Sequence, residues 1–203
     1  MSTINSLDPY SVQAQNDKAS LQERIQGLKE IIRSTQNAML TTRSADGELH
    51  SRAMTPVAPD SETQLTLLFI ANNVSHKFEE IANDSNVNVS FLNPTTTNWA
   101  SFAGRAKIIE DRDEIAKHWS AGMSAWFGDL RDGVHKGNAA DPRVALIQVI
   151  PEEIRYWQVN KSKLGRALEI GVGSITGKTA HPGELNTITR AEIELTQVLH
   201  TKN

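Results

Sequence analysis

Between residues 38 and 159 the chain is a succession of short runs of strand-type residues cut by tight-turn signals, with few stretches long enough to be crossover helices. That punctuation limits the fold more than any other feature. Parallel neighbours need a dozen or more residues to return to the same end of a sheet, so short links favour antiparallel pairing. The runs are 38–43, then 48–57 after an Ala45-Asp46-Gly47 hairpin signal, then 64–71. Residues 87–92 and 99–109 follow, joined by Asn93-Pro94-Thr95-Thr96-Thr97; the last are 144–150 and, after a turn placed at Pro151, 154–159. The pattern predicts a mainly β protein with flanking helices, its antiparallel sheet closed or nearly closed into a barrel.

The helices sit at the edges of this pattern. Ser20-Leu21-Gln22-Glu23 reads as a capping box, and Leu21, Ile25, Leu28 and Ile32 follow at helical spacing to about Ser34. A short helix is expected after the third strand, capped by Ser75, with Phe78, Ile81 and Ala82 on its buried side. Another starts at Asp111 and Asp113, reaches about Ala125 and carries His118 and Trp119. Residues 1–19 are polar, contain Pro9 and lack apolar periodicity, so they read as a flexible arm; 20–160 form the domain. Residues 161–203 are expected to be a helix, over 163–175 despite three glycines, and a tail that is mobile or packed on a partner.

Composition narrows the function classes. There is no clustered excess of Lys and Arg and the formal net charge is −3, which argues against nucleic acid. No apolar run approaches the roughly 20 residues needed to span a bilayer, and the first residues lack a secretory pattern. Cysteine is absent, which removes disulfides, thiolate metal sites and a Cys nucleophile and makes the cytoplasm the default. The six histidines are scattered without the spacing of a helical metal site, so no metal is expected.

Two places could hold an anion. Arg52, in Ser51-Arg52-Ala53-Met54, offers a planar fork suited to phosphate; the plain alternative is an exposed strand arginine. Asn73-Val74-Ser75-His76-Lys77 opens a helix directly after a strand and adds a hydroxyl and a mobile ammonium; its plain alternative is a capping serine and a solvated lysine. On neighbouring elements, the two can converge on one dianion.

Met39-Leu40-Thr41-Thr42, Ser51-Arg52-Ala53-Met54, Leu68-Phe69-Ile70-Ala71, Ser75-His76-Lys77 and Phe102-Ala103-Gly104-Arg105-Ala106 come in the order of the pyridoxamine 5′-phosphate oxidase-like split barrels. With Trp119, Trp126-Phe127, Asp141-Pro142 and Tyr156-Trp157, the chain resembles their general stress protein branch, including its fungal blue-light-inducible members. The resemblance covers roughly residues 20–160. It implies an FMN-binding split barrel and a homodimer with the flavin at the subunit interface. It also implies that Arg52 and Lys77 neutralise the phosphate, that Ser75 donates to it with His76 alongside, and that backbone groups of Ala53, Met54, Ile70 and Ala71 line the ring and ribityl chain. Trp99, Ser101, Trp126 and Trp157 are candidates to reach the flavin, from either subunit. Trp119 reads as core packing.

The chain departs from the true oxidases of this family at their substrate site. The stretch Met54-Thr55-Pro56-Val57-Ala58-Pro59 has no lysine, Trp126-Phe127-Gly128-Asp129 replaces their Trp-Ser-x-Gln-Ser, and no final arginine motif is present. Vitamin B6 oxidation is therefore not expected. Three functions stay open: a flavin-dependent oxidoreductase on an unknown small molecule, with NADH or NADPH as candidate reductant; a non-catalytic FMN-binding or flavin-sensing stress or light-response protein; and an interaction module without cofactor. A flavin analogue or haem is an alternative occupant, and no residue is assigned as a catalytic acid or base.

Overall fold

In the computed structural model of the protein, residues 8–159 and 182–200 are described. The elements in chain order are α1 (Pro9–Ala14), α2 (Leu21–Thr35), β1 (Ala38–Arg43), β2 (Leu49–Met54), β3 (Leu67–Asn72), α3 (Lys77–Asn83), β4 (Asn86–Leu92) and β5 (Trp99–Ile109). They continue with α4 (Arg112–His118), α5 (Ser124–Phe127), β6 (Val144–Val159), β7 (Gly183–Ile188) and α6 (Arg190–His200). The strands form one seven-stranded sheet in the order β2-β1-β4-β5-β6-β3, with β7 also on β6, and every named strand pair is antiparallel.

The sheet curls because β6 is long. Its first half pairs with β3 and its second half with β7, while β5 runs along its other edge. The chain leaving β2 then meets β3, where Val57 N donates to Leu68 O at 2.8 Å, so the two ends of the sheet approach each other in a half-barrel. Inside lie Leu40, Phe69, Val89, Phe91, Phe102, Ile147, Ile154 and Ile188, all fully buried, with Phe91 edge-on to Phe102 at 5.7 Å. Each such side chain contributes roughly 1.5–3 kcal/mol by leaving water. The capping box forms as expected: Ser20 N donates to Glu23 Oε2 at 2.8 Å and Glu23 N to Ser20 Oγ at 3.3 Å. The helix lays Ile25, Leu28 and Ile31 against the core.

Four expectations are corrected. Pro151 is not a turn: β6 runs through it without a break. Proline cannot donate to the ladder, and the register slips there, Ala103 facing Glu153 while Gly104 faces Pro151. Gly104 is needed at that bulge, since a Cβ on it would lie 2.3 Å from Ile150 O. The expected helix from residue 111 to 125 is broken: α4 stops at His118, Trp119 is extended, and a 3-10 turn precedes α5. Ser75 does not cap α3; His76 takes that position without a side-chain hydrogen bond.

The fourth correction concerns the ends. The arm holds a helix, α1, whose Tyr10 stacks on Trp157 at 5.7 Å, while Asn16 N donates to Leu185 O at 3.0 Å. From residue 183 the chain supplies β7 and α6, and Glu192 of α6 pairs with Arg24 of α2. The helix expected over 163–175 lies outside the described residues. Trp119 packs in a second small cluster with Ile115, Phe127, Val144 and Leu146, as its spacing suggested.

Candidate functional site

β1 and β2 set the site by their alternation. Leu40 and Thr42 on β1 face Arg52 and His50 on β2, so these four side chains share one face of the hairpin. Against that face packs α3, which buries Phe78 and Ile81 and brings a third buried side chain, Glu80, to the same place.

The result is a closed polar network. Thr42 Oγ1 donates to Glu80 Oε2 and accepts from Arg52 NH1, and Arg52 NH2 donates to Glu80 Oε2 at 2.9 Å. Arg52 NH1 also reaches Leu40 O at 3.3 Å. On the other carboxylate oxygen, His50 Nδ1 lies 2.6 Å from Glu80 Oε1. Burial alone would raise the Glu80 carboxyl, but hydrogen bonds from Thr42, His50 and Arg52 outweigh it and bring it down to about 2. The same Glu80 contact lifts the His50 imidazole above its ordinary value.

Lys77 lies at the first turn of α3. Its ammonium donates to Ser75 Oγ at 2.5 Å, and that hydroxyl in turn donates to Asn72 O at 2.6 Å. Burial first, and the charge of Arg52 second, push the Lys77 ammonium down, while Glu80 acts in the opposite sense. Ser75 and Lys77 thus meet at the start of the helix whose Glu80 is paired with Arg52. With only seven residues, α3 is too short to add a helix-end field, so side chains carry the charge. His76, almost fully exposed, joins His50, Arg52, Glu79 and Glu80 around a cleft of about 470 Å³; Lys77 and Ser75 are not part of its lining.

The remaining residues fall on other surfaces. Met54 and Ile70 are half-buried and Ala71 buried, on the two strands that approach each other through Val57 and Leu68. Ala53 points the other way: the row Ala53, Met39, Ser90, Ser101, Arg155 crosses the outer face of the sheet. Within one chain Ser101 is therefore on the opposite face from Arg52, where it accepts from Asn88 Nδ2 at 2.8 Å. Trp99 sits opposite Trp157 on that face, and Trp157 is covered by Tyr10. Trp126 is 86% exposed, on the segment after α4. Among the described residues no group of His, Asp or Glu could hold a metal ion, and no helix is long and apolar enough to cross a membrane.

Sequence reasoning missed Thr42, His50 and Glu80. The signal was present: Thr42 falls two residues after Leu40, on the core side of β1, and Glu80 follows Lys77 by three and precedes Ile81, beside the buried stripe of α3. A polar side chain at a position that alternation assigns to the interior needs partners.

Comparison with known proteins adds four findings. A family model described as pyridoxamine 5′-phosphate oxidase like matches residues 23–181. Protein bli-3 of Neurospora crassa is 39% identical over 188 residues, 92% of this chain and 90% of its own length. The crystal structure of general stress protein 26 from Bacillus anthracis is 25% identical, with a TM-score of 0.54 over 66% of this chain and 92% of its own. A Nostoc punctiforme structure described as a pyridoxamine 5′-phosphate oxidase-related, FMN-binding protein shares the fold at 14% identity, with a TM-score of 0.54 over 72% of this chain and 95% of its own.

Proposed function

The chain belongs to the pyridoxamine 5′-phosphate oxidase-like family, and from that premise we propose that it binds FMN and works as a general stress-type, flavin-dependent oxidoreductase on a small molecule. One observation carries this reading: Arg52 is tied to Glu80, and Lys77 stands three residues before Glu80 on the same helix, so two partly buried cations are directed to one region. Glu80 offsets only one of the two charges. A terminal phosphate supplies the missing negative charge and can accept from Arg52 and Lys77, and from Ser75 once its hydroxyl turns away from Asn72 O. That donor set fits FMN, whose ring and ribityl chain would lie along backbone groups of Ala53, Met54, Ile70 and Ala71, with His76 at the rim. Bound FMN supplies the electron transfer that side chains cannot, and the protein binds, orients and tunes it.

A homodimer is part of the proposal. The outer sheet face is lined by small or short side chains such as Ala53, Ser51, Ser90, Ser101 and Ala103, with Met39, Leu49 and Leu92 exposed around them. A face of this kind, with Arg155 and Glu153 at its far side, suits a second copy, which would bring Trp99, Ser101 or Trp126 to the flavin held by the first. Trp157 is the least available of the four, being stacked on Tyr10 of its own chain. NADH or NADPH is proposed as the reductant, and a substrate other than vitamin B6 phosphates follows from the lysine-free stretch after Met54.

The test is a visible-absorbance titration of the purified protein with FMN, followed by NADH or NADPH. Saturable binding and reduction faster than that of free FMN support the proposal. Binding with no faster reduction favours a non-catalytic flavin-binding or sensing protein, and a protein that never takes up FMN contradicts the reading.

A further inference from the structure

A buried carboxylate beside a proposed phosphate site calls for a reason, because it opposes the ligand's charge. Glu80 has a side chain only 9% exposed, and both its oxygens are engaged by Thr42, Arg52 and His50. An ion pair whose only task was to dock α3 would need Arg52 and Glu80 alone. Here Thr42 closes a triangle, accepting from the same guanidinium whose other nitrogen Glu80 accepts from, and Leu40 O takes a further contact from NH1. Arg52 is thereby held at several points along one edge of its guanidinium, at the wall of the cleft that His50 and His76 line, and against the helix that carries Lys77.

We propose that Thr42 and Glu80 are positioning residues for the phosphate grip: they fix the guanidinium of Arg52 in its binding orientation, and they act on the ligand only through Arg52. This inference rests on the FMN reading above. An arginine on a strand loses considerable rotamer freedom when it clasps a ligand, and one already held in place loses that freedom on folding instead. The carboxylate has a second effect. It neutralises one of the two cations that the hairpin and the helix direct to this region, which reduces their repulsion in the protein without ligand. His50 completes the arrangement by engaging the second oxygen of Glu80, so that both carboxylate oxygens are held in place.

The decisive variant is Thr42→Val, which keeps side-chain shape and changes no charge, so any effect comes from lost positioning. In the full-length protein, FMN and riboflavin affinities are measured by flavin fluorescence quenching, riboflavin being the same ring system without the phosphate. The expected result is an FMN Kd raised about 5–10-fold, the scale of one ordinary hydrogen bond lost, with the riboflavin Kd unchanged. In an Arg52→Ala background the same substitution should have no further effect on FMN. Thr42→Ala, which also changes no charge, gives a second route to the same signature if the valine variant fails to fold. The inference is overturned if Thr42→Val weakens FMN and riboflavin equally, if it leaves FMN binding unchanged, or if its effect persists without Arg52. A parent protein that prefers FMN, and a variant that keeps that preference, would overturn this inference alone. A parent with no preference for FMN would overturn the functional reading and this inference with it.

Discussion

Two buried carboxylates, Asp141 and Glu80, are each gripped by an arginine, yet their surroundings differ in kind. Asp141, fully buried, accepts from Gly137 N at 2.8 Å and from Arg143 at its backbone N, Nε and NH2. Arg143 then donates to Phe127 O and Gly128 O, and Arg112 donates to Asp141 O and Val144 O. Almost every bond in that cluster ends on backbone, so its capacity is spent on fixing the path of the chain from α5 to β6. The cluster around Glu80 ends mostly on side chains, lies beside an additional cation and borders a cleft. Where an ion pair's partners are backbone groups it holds structure. Where they are side chains with donors to spare, it can hold a ligand.

Substitution should separate the two. Asp141→Ala leaves Arg143 partly buried without its carboxylate and frees the turn at Gly137, so urea unfolding should show a loss of about 3–5 kcal/mol. The FMN-to-riboflavin preference of whatever remains folded should be unchanged. A loss of preference there would erase the distinction. Arg52→Ala should do the reverse, weakening FMN by about 1.5–3 kcal/mol in a fluorescence titration while riboflavin binding stays as it was.

Acid sharpens the contrast further. Glu80 and Glu192 are both held near 2, and Asp141 is held below its ordinary value by Arg143. Folded values below the unfolded ones mean that this stability is fully present above roughly pH 4.5 and is lost as pH falls towards 2. A melting series against pH should therefore be flat above about pH 5 as far as these carboxylates are concerned, and should fall steeply below it. Glu80→Gln should remove part of that fall. His50 has the opposite sign: its raised value gives stability that is complete below 6.5 and fades as pH rises through the folded value. His50→Gln should abolish that fading. The mildest substitution is Lys77→Ala, expected to weaken FMN by about 1 kcal/mol because water can replace a flexible ammonium, with unfolding nearly unaffected.

Much of the frame was legible in the sequence. The Asp46-Gly47 hairpin forms as read, with Gly47 at φ 93, and β1 and β5 have the expected bounds. Alternation and turn chemistry are local, so they survive folding. What sequence could not supply were consequences of pairing across the chain. Pro151 looks like a stop unless the neighbouring strand is known to bulge at Gly104. The polar residues before α2 look like a loose arm unless Trp157 and Leu185 are known to await Tyr10 and Asn16. At the site, Arg52, Ser75 and Lys77 were chosen for their chemistry; Ser75 and Lys77 meet, and Arg52 reaches their helix through Glu80. Glu80, which organises them, was passed over because a helical glutamate usually faces water.

The most direct measurement compares FMN with riboflavin on the unmodified protein under identical buffer and salt. If Arg52, Lys77 and Ser75 receive a phosphate, FMN should bind at least about 10–100 times more tightly, as two charge-assisted contacts require, and the gap should narrow as salt is added. Equal affinity for the two flavins would mean that these cations serve some other purpose.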